Sequence, residues 1–414
     1  MKEQELIPHL FRTEYKKIVA VLCKLFGIGQ IEIAEDIAGE TFVAASQIWS
    51  LKGLPENPTA WLYTVAKNKT KDYFKHHDVF TKTILPHLKN ENATPEIDID
   101  LSNENINDSQ LSMIFAVCHP TISTESQIGL ALNILCGFGA EEIAAAFLTT
   151  KDVIYKRLQR AKEKLKTEMI KIEPPTPAEI DERLDPVLMT LYLLFNEGYY
   201  STSQDTSIRA EFCIEAMQLN KLLIENDISN TPTANALFSL MCFQASRLAA
   251  RTNEKGEAIL YDDQDMSLWD QLLIEKGKYY LNQALRGNRL SKYQLEATIA
   301  FWHTNKEDTP EKWENILQLY NQLLLIEYSP IIALNRTYAL AKANGKREAI
   351  IEAEKIELTE NPLYHSLLGN LYTNVDNLKA IDHYKIALKL TASSSARNAI
   401  TKNITKLTGT KSND

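Results

Sequence analysis

Apolar residues return every three or four positions along almost the whole chain, and nowhere do they alternate in the two-residue rhythm of a half-buried strand. Such a chain can bury its apolar surface only as packed helices, so the expected fold class is all-α. Glycine and proline, 14 each, are too sparse to punctuate a set of hairpins. At 414 residues the helices exceed what one small core organises, and two or three domains are expected.

Two interruptions divide the chain. Residues 86–110, PHLKNENATPEIDIDLSNENINDSQ, are polar, acidic and poor in helical period, the signature of a linker. At 172–180, IEPPTPAEI, three prolines end one helix and stiffen a connector. TNEKGEAILYDDQD, at 252–265, reads as a long loop inside the last part. The expected segments are 1–85, the acidic linker 86–110, 111–171 and 174–414.

The remaining composition excludes several classes. Apolar content of 44% and charged content of 24% are those of an ordinary soluble protein. No run of about 18 apolar residues offers a membrane span. The start, MKEQELIPHLFRTEYKK, lacks the apolar stretch of a secretion signal, so a cytoplasmic location without membrane association is expected. Five scattered cysteines without a CxxC pair suit a reducing compartment. Cys118 and His119 are adjacent, but no second ligand pair stands at zinc spacing, and no metal or cofactor is expected. The eight histidines form no metal or triad pattern and no glycine-rich phosphate loop is present, so nothing supports an enzyme.

The net charge of −9 is unlike that of a nucleic-acid binder, but it is unevenly spread. Residues 150–171 hold eight basic against three acidic groups, while residues 86–112 hold one against six. Local sums govern phosphate affinity over a Debye length of about 8–10 Å.

In the first segment, residues 11–26 form a helical pattern. In IEIAEDIAGETFVAASQIW, Ile37, Thr41, Ala44 and Ile48 make one apolar stripe and Ala38, Phe42, Ala45 and Trp49 the next. Glu35, Asp36 and Glu40 fall off that face, which by itself reads as a solvated acidic side. After the loop SLKGLPENPT, Asn57 is placed to cap a third helix with Pro58 in its first position. That helix, TAWLYTVAKNKTKDYFKHH, interleaves Trp61, Tyr63, Tyr73 and Phe74 with Lys67, Lys69, Lys71 and Lys75. Rings alone suit a core; rings among cations also suit a single nucleic-acid strand, with cations on phosphates and rings on bases.

The strings AEDIAGETFVAASQIW and NPTAWLYTVAKNKTKDYF resemble region 2 of the extracytoplasmic-function (ECF) sigma factors of the sigma-70 family. The resemblance implies that the second helix docks on the clamp helices of the β′ subunit of core RNA polymerase, through Glu35, Asp36, Glu40 and Thr41. It also implies that the following loop and helix read and melt the −10 element, through Lys52, Gly53, Asn57, Trp61, Asn68, Lys71 and Asp72.

In the second segment TESQIGLALNILCG is amphipathic, and GAEEIAAAF, LTTK and DVIYKRLQRAKEKLK follow as helix, turn and helix. Ile154, Leu158, Ala161 and Leu165 make the buried stripe of the last helix, with Lys151, Asp152, Tyr155, Lys156 and Gln159 opposite. Arg157, Arg160, Lys162 and Lys164 flank it with charge for phosphates. Residues 143–162 are similar to sigma region 4, which reads the −35 element and docks on the β flap of polymerase. Leu148 stands where many such turns carry glycine. The acidic linker then resembles a segment that threads the polymerase toward its RNA exit channel; a solvated tether is the alternative.

The third segment opens with LDPVLMTLYLLFNEGYYSTSQDTSIRAEFCIEAMQL, and residues 329–356 and 361–390 resemble two tetratricopeptide (TPR) repeats. Less regular helices at 185–325 are expected to complete a solenoid. LSMIFAVCHPTIS, LFNEGYYSTS, EAILYDDQDMSLWD and SPIIALNRTYALA together resemble the ECF subgroup with a TPR-like C-terminal extension. The resemblance implies a transcription initiation factor whose extension modulates activity and takes a protein or ligand partner. Glu197, Tyr199, Tyr200, Asp262, Asp263, Asp265 and Trp269 are its candidate regulatory surface, against the alternative that they hold the domain's own fold. The competing function is a stand-alone helix-turn-helix regulator, which would need dimer symmetry and have no use for an aromatic-basic melting helix.

Overall fold

The computed structural model describes residues 3–76, 99–147, 149–199, 210–251, 253, 259, 261–287, 289–356, 358–391 and 394–409. Among these the chain is all-α, with no strand. It divides into two compact units, residues 1–194 with 225–229, and residues 195–224 with 230–414. No helix of the described residues is long and apolar enough to cross a membrane.

In the first unit α1 (Glu3–Phe26) packs on α2 (Ile31–Lys52), and α2 on α3 (Pro58–His76). Aromatic contacts hold the three together: Phe11 meets Phe42 edge-on at 5.1 Å, Trp49 meets Trp61 at 5.3 Å, and Phe26 lies 5.2 Å from Phe74. Such pairs add about 0.5–1.5 kcal/mol each beyond the area they bury. Gly53 ends α2 at φ 79°, in the left-handed region that costs glycine least. Asn57 Oδ1 accepts from the Ala60 amide at 3.0 Å, so the predicted cap starts α3.

α4 (Asn103–Val117) begins inside the stretch expected to be a linker. Asp100 Oδ1 accepts from the Ser102 amide at 2.8 Å, and the Ser102 hydroxyl accepts from Asn105, so two polar residues that looked like loop are a helix start. From Ser109 to Val117 every residue is buried, so α4 is a central helix and its polar members need internal partners. Ser109 and Ser112 find them in the Asn105 and Asp108 carbonyls at 2.6 and 2.7 Å. The earlier part of the linker, residues 86–98, lies outside the described residues, as do residues 77–85 before it.

α5 (Thr124–Leu130) runs into a π-helical turn, Ala131–Leu135, and α6 (Ala140–Ala146) and α7 (Lys151–Thr167) follow as a helix, a turn and a helix. Thr150 caps α7 by accepting from the Val153 amide. Leu148, singled out in the turn, lies outside the described residues.

The proline-rich connector does not mark the boundary between the two compact units. α8 (Pro177–Tyr199) belongs to the first unit as far as Leu194. Arg183 Nη2 donates to the Phe115 carbonyl of α4, with its guanidinium 5.7 Å from the Phe115 ring, and the Thr190 hydroxyl donates to Gln127 Oε1 of α5 at 3.1 Å. Breaking the helix before Pro177 leaves these partners in place, because proline ends a helix but does not end a domain.

The second unit contains α9 (Ala210–Glu225), α10 (Pro232–Ala245), α11 (Gln271–Ala284), α12 (Lys292–Trp302), α13 (Pro310–Ile326), α14 (Pro330–Asn344), α15 (Lys346–Glu354), α16 (Pro362–Tyr372), α17 (Asn377–Leu390) and α18 (Ser394–Thr408). From α10 onward each helix packs on the next. Thr231, Thr309 and Asn361 cap helices whose first residue is proline. A Cβ on Gly369 would stand 2.7 Å from the Tyr384 ring, so only glycine lets α16 and α17 approach this closely. All five cysteines are free and buried. Burial pushes the Cys118, Cys213 and Cys242 thiols up to about 12, and raises Cys23 as well.

Candidate nucleic-acid and polymerase interface

Asp36, Glu40, Val43, Gln47 and Leu51 form one exposed line along α2, at spacings of three and four. Asp36 and Glu40 therefore face outward as expected, although Lys69 of α3 reaches Glu40 at 2.7 Å. Thr41 does not. It is fully buried and its hydroxyl donates to the Ile37 carbonyl at 2.8 Å, so it supports α2 and touches no partner. The apolar-stripe reading of Thr41 was right, and the contact role implied by resemblance is corrected. Glu35 is turned inward from Asp36 and Glu40, toward α7.

Lys52, the last residue of α2, lies exposed, as do Gly53 and Asn57 in the loop that follows, with the Asn57 side chain committed to its cap. On α3 Asn68 and Asp72 are exposed, and Trp61 and Lys71 are half-buried. The half-buried Trp61 ring packs in an edge contact on the buried Trp49. The other rings are mostly structural. Phe74 is buried, and the Tyr63 hydroxyl donates to Glu14 at 2.5 Å, with burial and that carboxylate raising the phenol.

On α7 the predicted stripe of Ile154, Leu158, Ala161 and Leu165 is the buried face. Lys151, Asp152, Tyr155, Lys156, Gln159 and Arg160 are exposed, and Arg157 is half-buried. Lys151 pairs with Glu141 of α6 at 2.6 Å. Lys162, read as a phosphate contact, is engaged elsewhere: its Nζ donates to both Glu35 oxygens at 2.8 Å. The pair joins residues 127 apart in sequence, with side chains only 17% and 21% exposed. No local pattern could have shown it.

In the second unit the candidate regulatory set divides. Asp262, Asp263 and Asp265 are exposed, and the Asp265 carboxyl, accepting from the Ser267 amide at 2.8 Å, is held below the usual carboxylate range. Glu197 is half-buried, and Tyr200 lies outside the described residues. Tyr199 and Trp269, 2% and 4% exposed, are core residues, which corrects their place on a surface. Arg247 explains both: it donates to the Tyr199 hydroxyl at 3.2 Å and lies 5.9 Å from the Trp269 ring, while Arg251 stacks 3.7 Å over Tyr199. Close by, burial beside Arg247 and Lys312 pushes the His303 imidazole down to about 3.

Residues 10–79, nearly all of α1 to α3, match the Sigma-70 region 2 family. The chain carries region 2 of a sigma-70 family factor. As a sigma factor it acts in transcription initiation, with core RNA polymerase and promoter DNA as the partners of region 2. Residues 183–285 match a family of unknown function, DUF6596. The sigma factor is 32% identical over 349 residues to an uncharacterized protein of Rhizobium meliloti (strain 1021), covering 82% of each chain, and belongs to that protein's family. No solved structure matches it.

Proposed function

We propose that this sigma factor is of the ECF type, with a TPR-like extension that modulates its activity from the cytoplasm. Asp36 and Glu40, with Glu35 once it is released, meet the β′ clamp helices; Lys52, Gly53, Asn57, Trp61, Asn68, Lys71 and Asp72 read and open the −10 element. α7 reads the −35 element with Lys151, Asp152, Tyr155, Lys156, Arg157, Gln159 and Arg160, and its domain meets the β flap. Glu197, Tyr200 and the exposed acids Asp262, Asp263 and Asp265 face a protein or ligand partner of the extension.

The observation that carries this reading is α7 itself. Its apolar stripe is wholly buried while its polar and basic residues project on the other side, the division a major-groove helix requires. A region 2 alone would serve many arrangements; a second reading helix in the same compact unit suits a factor that grips two promoter elements.

The test is run-off transcription with purified core polymerase on genomic fragments. Template-directed transcripts are expected only with the sigma factor present. Lys156→Ala and Arg160→Ala should each weaken promoter binding and reduce the slope of log affinity against log salt by about one. Tight binding of duplex operators by the free protein, without polymerase, would point to the stand-alone regulator instead.

A further inference from the structure

Helix ends of the second unit converge on Tyr261. Arg247, just past the end of α10, holds its guanidinium 5.4 Å from the Tyr261 ring. The ammonium groups of Lys306, between α12 and α13, and Lys312, in α13, each lie 5.9 Å from the same ring. The Trp269 and His303 rings complete the surround at 6.1 and 5.4 Å. Cations crowded in this way ordinarily draw carboxylates in among them, because an unpaired charge shielded from water is costly. Among the described residues none of these three cations forms an ion pair. Asp308 is taken by Lys342 at 2.8 Å and by the Trp313 indole, and the Asp265 carboxyl by the Ser267 amide. Lys306 and the buried Lys312 are met only by the carbonyls of Asp262, Gln264 and Asn305, which satisfy hydrogen bonds without cancelling charge.

A second observation does not depend on charge. Gln264 and Trp269 are 7% and 4% exposed, yet Gln264 Oε1 and Trp269 Nε1 have no hydrogen-bond partner, and neither has Arg247 Nε. Buried polar groups are nearly always satisfied, so three orphans bordering one ring call for an explanation. They amount to two donors and one acceptor, beside unpaired positive charge and two flat rings.

We infer that this cage binds a small hydroxycarboxylate. The carboxylate accepts from Arg247 Nε and Trp269 Nε1, the hydroxyl donates to Gln264 Oε1, and Tyr261 and Trp269 wall the carbon skeleton. Lys306 and Lys312 supply the field that retains the anion. An amino acid is disfavoured, since its ammonium group would sit among three cations. Inorganic phosphate offers charge and an O–H but no carbon for the rings. The inference deepens the proposed modulation by the extension and rests on it for one consequence: occupancy neutralises the cations at these helix ends and is the input that alters transcription.

The test follows the unfolding temperature of the full chain by calorimetry, at equal ionic strength, with lactate, propionate, inorganic phosphate or chloride. Lactate at ten times its dissociation constant is expected to raise it by about 3–5 °C. Propionate, which lacks only the hydroxyl, should do less, and phosphate and chloride least. Gln264→Leu should erase the difference between lactate and propionate. Lys312→Met should remove the response to lactate while leaving the ligand-free chain no less stable, because it deletes an unpaired buried charge; a lysine with a structural role alone would destabilise the chain when lost. No shift with lactate overturns the site. Equal shifts with all four anions, unaltered by Gln264→Leu, mean an unspecific counterion only and overturn it too, as does a larger shift with phosphate than with lactate. Run-off transcription with and without saturating lactate separates the two readings: binding that leaves transcript yield unchanged keeps the site and overturns its role as the input.

Discussion

Thr41 shows how much one side chain's burial decides. Thr41→Val keeps its shape and removes only a hydroxyl bonded to the Ile37 carbonyl, so core-polymerase affinity should be unchanged and stability altered by no more than about 1 kcal/mol. Asp36→Lys, on the exposed line of the same helix, should reduce that affinity sharply; pull-down with core enzyme separates the two. Gly369→Ala pushes a methyl into the Tyr384 ring and should cost about 1–3 kcal/mol, read as a lower unfolding temperature. His303 makes a pH prediction. Its folded value is depressed, so the unfolded chain takes up the proton first and stability falls as pH drops from about 6.5 toward 3. Melting curves across that window should be less steep in pH for His303→Gln. Residues on periodic faces were legible beforehand: the stripe Ile154, Leu158, Ala161 and Leu165 follows from spacing alone. Tyr199 and Trp269 were not, because Arg247, which draws both into the core, is remote from them in sequence.

At the scale of elements, composition was a sound guide to helices and a poor one to borders. The polar stretch before Leu111 looked like tether because Asp100, Ser102 and Asn105 are loop-forming residues, but the same residues cap helices. The three prolines at 172–180 suggested that the N-terminal domains end near Glu173, yet α8 supplies Arg183 and Thr190 to the core around Phe115 and Gln127. A chain cut after Glu173 should therefore lose stability around α4 and α5, with the Phe115 carbonyl and ring uncovered. One ending at Tyr199 should retain it. Arg183→Met in the intact protein should reproduce part of the loss, and circular dichroism melts of the three proteins would rank them.

The whole molecule divides into two compact units, and the border falls inside α8, after Leu194, where the sequence suggested one near residue 174. What no inspection of the residues could supply is the closure of the first unit on itself, since a pair 127 residues apart leaves no periodic trace. Two units with separate cores should unfold separately. Calorimetry of the intact chain is expected to show two transitions, and the chain ending at Tyr199 should retain one of them.

The sealed cysteines carry one more consequence. All five sulfurs are out of solvent's reach, and burial keeps the four whose shift is known in the protonated, unreactive form. Thiol-directed oxidants therefore find no ready handle among the cysteines of the folded factor. A response to disulfide stress would then reach this protein as a binding event, with the thiol chemistry done on another molecule.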